Sequence, residues 1–149
     1  MRLRAAERVF VDTNVLVYVY DPEAPAKQSR ARGLLIDTLG SGDLALSTQV
    51  LQEFYWTVTR KPEVPLPHSV AAGFARQLLA AHVVVPSADL VVAAMERSGG
   101  SSLTMWDALI LETAESCGAS VLYTEDKHLL AADSDIEIVD PFANGGRNA

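Results

Sequence analysis

One cysteine, Cys117, stands in the 149 residues. A lone thiol excludes an intrachain disulfide and any cysteine-built zinc cluster, so the fold must be held by its own core. Long apolar runs are missing too: stretches such as Val15 to Tyr20 and Leu90 to Met95 fall well short of the roughly 18 residues a membrane-spanning helix needs. Arg2, Arg4 and Arg8 resemble the start of a signal peptide, but only Val9, Phe10 and Val11 follow before Asp12. A cytoplasmic protein without a membrane segment is therefore expected. Net positive charge is also absent, with 12 basic against 19 acidic residues and a net charge of −7. Proteins that hold nucleic acid by bulk electrostatics are usually basic. A nuclease stays admissible, because divalent cations gathered by carboxylates reverse the local sign.

What is present describes an ordinary globular domain. Hydrophobic residues make up 49% and charged residues 21%, which sets aside collagen-like, coiled-coil and disordered classes. The length suits one domain over residues 1–149, with an ordered core at about 8–142 and a frayed tail at 143–149. Arg8-Val-Phe-Val-Asp12 reads as a short strand buried on both faces. Asn14 to Tyr20 has β-branched residues suited to a strand, yet Asp12-Thr-Asn is a credible helix start, and strand followed by helix is the reading adopted. Helical spacing covers Lys27 to Leu39, Thr48 to Arg60, His68 to Ala81, Ser87 to Arg97 and Thr104 to Cys117. Further strands are expected at Leu44 to Ser47, Val83 to Val85, Ala119 to Thr124 and Ile136 to Val139, with a short helix at Lys127 to Ala132. Strands alternating with helices imply an α/β fold, a five-stranded parallel sheet flanked by helices on both faces.

Ligands of open α/β sheets bind beyond the carboxyl ends of the strands. Asp12 and Asp126 follow the first and fourth strands and so fall on that rim. Glu53 and Asp107 lie in the first halves of two helices that start near it. At about 100° per residue, Glu53 lies roughly 130° and Asp107 roughly 120° from the centres of their apolar stripes. Each acid also has an ordinary use: Asp12 and Asp126 as helix caps, Asp107 in a capping-box pattern with Thr104, Glu53 as a solvated acid near a positive helix end. The joint arrangement is what shifts the balance towards chemistry.

Val9-Phe-Val-Asp-Thr-Asn-Val-Leu-Val17, Leu46 to Phe54, Met105 to Ile110 and Leu122-Tyr-Thr-Glu-Asp126 together resemble the four successive motifs of PIN-domain ribonucleases, in detail those of VapC toxins. The resemblance runs from about Arg8 to Phe142. It implies a metal-dependent endoribonuclease on a five-stranded parallel sheet, with Asp12, Glu53, Asp107 and Asp126 as catalytic acids and metal ligands. Asn14 and Thr124 match supporting positions. Glu125 adjoins Asp126, and since neighbours on an extended chain point apart, Asp126 is taken as the site residue. An all-oxygen ligand set suits one or two Mg²⁺ or Mn²⁺ ions rather than zinc. The resemblance further implies products with a 5′-phosphate and 3′-hydroxyl, a homodimer, and a VapB-type antitoxin whose C-terminal segment lies across the cleft.

Lys27, Arg30, Arg32, Arg60 and Lys61 form the basic groupings beyond the N-terminus, either a solvated helix face or contacts to RNA phosphates. Tyr18, Phe54, Tyr55 and Trp106 are assigned to the core, and Trp56, nearly opposite its helix's apolar stripe, to a subunit or partner interface. His68, His82 and His128 lack metal-binding spacing and are read as helix-terminal or surface residues; Cys117 reads as a small buried apolar residue. Two alternatives remain open here. A haloacid-dehalogenase-type phosphatase also carries an Asp after its first strand, but its Asp-x-Asp is Asp12-Thr-Asn14 here. A PIN fold kept as a binding module is expected to lose some of the acids.

Overall fold

The computed structural model describes residues 7–143, so the tail expected to fray lies, from residue 144 onwards, outside the described residues. Five strands, β1 (Val9–Val11), β2 (Leu44–Ser47), β3 (His82–Val84), β4 (Val121–Tyr123) and β5 (Glu137–Val139), form one all-parallel sheet in the order β3-β2-β1-β4-β5. The helices between them are α1 (Thr13–Tyr18), α2 (Pro25–Ser41), α3 (Thr48–Thr59), α4 (His68–Leu78), α5 (Ala88–Gly99), α6 (Met105–Ser116) and α7 (Lys127–Leu130). None is long and apolar enough to cross a membrane.

Every residue of β1 and β2 is buried, as central strands covered on both sides require. Chain order runs outward from β1 to β3, then jumps across β1 to β4 and on to β5. Right-handed crossovers in these opposite directions put α1 to α4 and α5 to α6 on opposite faces. Accordingly α1 packs against α2 and α3, α3 against α4, and α5 against α6. Phe10, Leu16, Leu44, Leu46, Phe54, Ile110 and Leu122 are fully buried between these layers. Truncating Phe10 or Phe54 to alanine costs about 3 to 5 kcal/mol by such burial.

The ambiguity after β1 resolves as helix, because the Asp12 carboxylate accepts the Thr13 N–H at 2.7 Å and caps α1. Strand β3 starts one residue early, as His82 pairs with Ala45. Helix α6 ends where Gly118 takes φ +78° and lets Ala119 N–H return to the Ala114 carbonyl at 3.2 Å; a side chain at that φ is strained. Cys117 is half-buried rather than buried. It packs at the core's edge, and its carbonyl accepts from Arg8 Nη1 at 2.6 Å.

Candidate active site

The strand order reverses between β1 and β4, and the crevice at their carboxyl ends is where such a sheet offers a site. Asp12 leaves β1 at that point, its backbone N–H still paired to the Tyr123 carbonyl of β4 at 2.9 Å. Its side chain is 7% exposed. Oδ1 takes the α1 cap bond, while Oδ2 accepts from the Thr124 hydroxyl at 2.8 Å and from Asn14 Nδ2 at 3.3 Å. Asn14 Nδ2 also reaches Thr124 Oγ1 at 3.2 Å, and Thr124 Oγ1 accepts the Asp126 N–H at 3.0 Å. Both expected supporting residues thus hold Asp12 directly.

Glu53 projects from α3 into the same crevice. Thr13 donates to its Oε1 at 2.9 Å and Gln49 Nε2 to its Oε2 at 3.3 Å. Neither holder was singled out in the sequence, although Gln49 lies one helical turn before Glu53 and Thr13 beside Asp12. Asp107 sits in the first turn of α6, its N–H donating to the Thr104 cap at 3.1 Å. Asp126 caps α7, its Oδ1 accepting from His128 and Leu129 N–H at 2.9 and 3.1 Å. Asp12, Asp107 and Asp126 all stand at helix starts; the first two line one cleft, and Asp126 is not among the residues that line it. The positive helix ends favour the charge they carry.

Asp12, Glu53 and Asp107 line a cleft of about 470 Å³ with Asn14, Lys61 and Glu125. Burial pushes the Asp12 carboxyl up to about 6, against the bonds from Thr124 and Thr13, and the charges of Glu53 and Asp107 add to the rise. Asp107 is likewise raised, first by burial, then by Asp126, with Glu53 adding and nearby His128 opposing. Carboxylates crowded this way favour protonation or a cation. Yet among the described residues no three His, Cys, Asp or Glu side chains stand within reach of a single metal ion. The four acids share a field without forming a closed coordination sphere. Their all-oxygen chemistry, with Asp12 and Asp107 raised, fits a hard divalent cation.

Glu125 also lines the cleft, but it is neutralised there. Lys27 Nζ lies 3.0 Å from its Oε2 and the Tyr18 hydroxyl donates to its Oε1 at 2.6 Å. Lys27 is held above its ordinary pKa by Glu125 and then Tyr18. The other basic residues separate. Arg30 and Arg32 donate to the Pro141 and Val19 carbonyls at 3.1 and 3.0 Å, tying α2 to its neighbours. Lys61 lines the cleft 3.6 Å from Asp21, and Arg60 stacks on the Trp56 ring with Cζ 3.5 Å from its centroid. Two core assignments are corrected: Trp106 is 62% exposed, and Tyr55 is exposed with its hydroxyl 2.7 Å from His68 Nδ1. Trp56 is exposed as expected, at 61%.

The PIN-domain family model matches residues 9–135. The chain belongs to the PIN-domain family. No curated protein matches in sequence, whereas solved structures do. A toxin-antitoxin complex from Klebsiella pneumoniae is 18% identical and superposes with a TM-score of 0.66 over 90% of this chain and 98% of that one. VapC20 of Mycobacterium tuberculosis, described as a sarcin-ricin loop cleaving toxin, is 21% identical, with a TM-score of 0.62 over 83% and 93%. FitAcB from Neisseria gonorrhoeae is 17% identical, with a TM-score of 0.64 over 91% and 99%. At these identities the likeness establishes a shared PIN fold. Family membership also removes the haloacid-dehalogenase alternative.

Proposed function

We propose that this PIN domain is a Mg²⁺- or Mn²⁺-dependent endoribonuclease, a VapC-like toxin acting in the cytoplasm and restrained by a VapB-type antitoxin. The observation that carries the proposal is Asp12: a carboxylate at the switch point, 7% exposed, oriented by three side-chain and backbone donors and raised to about 6 with like charges beside it. Such an arrangement costs stability unless a cation is its ligand.

Asp12, Glu53, Asp107 and Asp126 are the residues to hold it. A hard divalent cation bound there supplies an activated water and neutralises charge on a phosphodiester. The chain's own part is orientation. Thr124 and Asn14 fix Asp12, Thr13 and Gln49 fix Glu53, and the helix ends hold Asp107 and Asp126 at the rim. Lys61 on the cleft wall and Arg60 on the neighbouring turn are the cations placed to meet RNA phosphates; Arg30 and Arg32 already serve backbone carbonyls. With O3′ as the leaving oxygen, as the family resemblance implies, the products carry a 5′-phosphate and a 3′-hydroxyl. A homodimer and an antitoxin segment across the cleft belong to the same reading, in line with neighbours solved as toxin-antitoxin complexes.

The test is cleavage of purified tRNA and ribosomal RNA with and without Mg²⁺ by the wild type, Asp12→Asn and Asp107→Asn. Discrete fragments that need the metal and vanish in both variants are expected. A second reading, a binding module on a PIN fold, is favoured by the open spacing of the acids. Absence of Mg²⁺ or Mn²⁺ binding at millimolar concentration in calorimetry makes that reading the better one.

A further inference from the structure

The chain has two tryptophans, and both are largely exposed in the same place. Trp56 and Trp106 wall a second cleft, between α3 and α6, whose remaining lining is Gln49, Gln52, Glu53 and Thr57. Two indoles left in water in one cleft are a standing loss of burial. The volume, about 530 Å³, lies within the roughly 300 to 1,000 Å³ of small-ligand sites. Glu53 and Thr57 line this cleft and the acid cleft alike, so the two adjoin. Trp56 follows Glu53 by one helical turn and Trp106 immediately precedes Asp107.

The cleft has a polar end as well. Gln49 is 7% exposed and its Nε2 is committed to two acceptors, Glu53 Oε2 at 3.3 Å and the Trp106 carbonyl at 3.0 Å. Turning the amide over would set its oxygen against those two oxygens, so the orientation is fixed. Gln49 Oε1 is consequently a buried side-chain acceptor without a partner, the one such atom among the described residues. A buried acceptor in that state favours any donor that reaches it. At the outer end, the Arg60 guanidinium covers one face of Trp56 and brings positive charge to the rim.

We infer that this cleft seats one unstacked nucleobase of an RNA chain, stacked on Trp106 and Trp56, with the base's exocyclic amine directed at Gln49 Oε1. The inference rests on the nuclease reading, for which it supplies a specificity subsite. A base offers an aromatic face for the indoles and a donor edge for the amide, and its phosphate is then met by the Arg60 guanidinium beside Trp56. An apolar peptide helix fits less well, since its side chains bring no donor to Gln49 Oε1. Stacking of bases on aromatic side chains is the usual means of holding single-stranded RNA. Adenine, guanine and cytosine carry exocyclic amines and uracil has none, so the first three are preferred over uracil.

Because both tryptophans line the cleft, the protein's intrinsic tryptophan emission reads this site alone. The experiment titrates Asp12→Asn protein in Mg²⁺ with short oligo-A, oligo-C and oligo-U RNAs and with an abasic ribose-phosphate chain of equal length. Base-bearing chains quench the emission and the abasic chain does not; Trp106→Ala weakens oligo-A binding by about fivefold or more, and Trp106→Phe restores most of it. Gln49→Met narrows the preference for oligo-A over oligo-U. Equal quenching by the abasic chain, Trp106→Ala affinity within about twofold of the parent, or quenching produced only by a protein partner overturns the inference. Cleavage of total RNA by the wild type is scored separately. Cleavage without base-dependent quenching removes the subsite and leaves the nuclease; base-dependent quenching without cleavage keeps the cleft as an RNA-binding site and removes the nuclease.

Discussion

Helix α6 carries acids at both ends, and the two ends are treated in opposite ways. Near its C-terminus, Glu112 and Glu115 meet Arg97 of α5 at 2.5 and 2.7 Å, and the same guanidinium donates to the Asp133 carbonyl at 2.6 Å. Burial alone pushes Glu115 up, but Arg97 and the Ser134 hydroxyl outweigh it and hold the carboxyl below its ordinary value. A helix C-terminus disfavours negative charge, and here an arginine answers it. At the N-terminal end the Asp107 carboxyl is raised, first by burial and then by the charge of Asp126, with Glu53 adding and His128 opposing. The fold can neutralise its acids where it needs to. Among the described residues it gives Asp12 and Asp107 no arginine or lysine partner, while Glu125 on the same cleft has Lys27.

The contrast is broken most severely at Asp12. Asp12→Asn keeps a side chain able to cap α1 and is expected to lower metal-dependent cleavage by more than the roughly 100-fold that outer residues of a metal site cost. Its effect on folding has the opposite sign. The Asp12 carboxyl is raised to about 6 in the folded chain from 3.8, so its contribution to stability is full below about pH 4 and is lost as the pH climbs through about 6. Metal-free wild type should lose up to about 3 kcal/mol between those limits on this account. Denaturant unfolding at pH 4.5 and 7.5 should show the loss in wild type and not in Asp12→Asn. Added Mg²⁺ should stabilise wild type more at the higher pH, where protons no longer compete for the ligands.

At the other end of α6, Arg97→Met should cost about 2 kcal/mol by leaving two partly buried glutamates unpaired. It should lower the melting temperature by several degrees with cleavage per folded molecule preserved. Thr124→Val removes the bond that lowers Asp12. The Mg²⁺ requirement should rise by about tenfold, and the acid limb of the pH–rate profile should move to higher pH. The smallest effect belongs to Glu125→Gln, whose loss of the Lys27 pair should change stability by no more than about 1 kcal/mol and leave the Mg²⁺ requirement unchanged. A large metal phenotype there would exchange the roles of Glu125 and Asp126.

Most of the fold was legible because its signals are local. The buried runs Val9 to Val11 and Leu44 to Ser47 announce central strands, and Asp12, Ser47, Ser87, Thr104 and Asp126 each cap the helix expected after them. Asn14 and Thr124 were readable only through the family motifs, since their common partner joins residues 112 positions apart. The errors arise where position within an element outweighs residue type. Trp106 is aromatic but stands in the first turn of α6, ahead of the buried run Ala108 to Leu111. Tyr55 lies at the margin of the α3 stripe and satisfies its hydroxyl with His68 instead of entering the core. Arg97 drew no notice in the sequence, because its partners lie 15 to 36 residues away on another helix and a loop.

The strand order carries a consequence for synthesis. Asp12 and Glu53 are made within the first 53 residues of the sequence, but β4 (Val121–Tyr123), which pairs with β1 and is followed by Thr124 against Asp12, comes much later. A nascent chain lacking that strand has neither Thr124 to orient the first carboxylate nor Asp126 beside Asp107. The crevice is completed by one of the last strands to be made, so Asp12, Asp107 and Asp126 come together only once most of the chain has been synthesised.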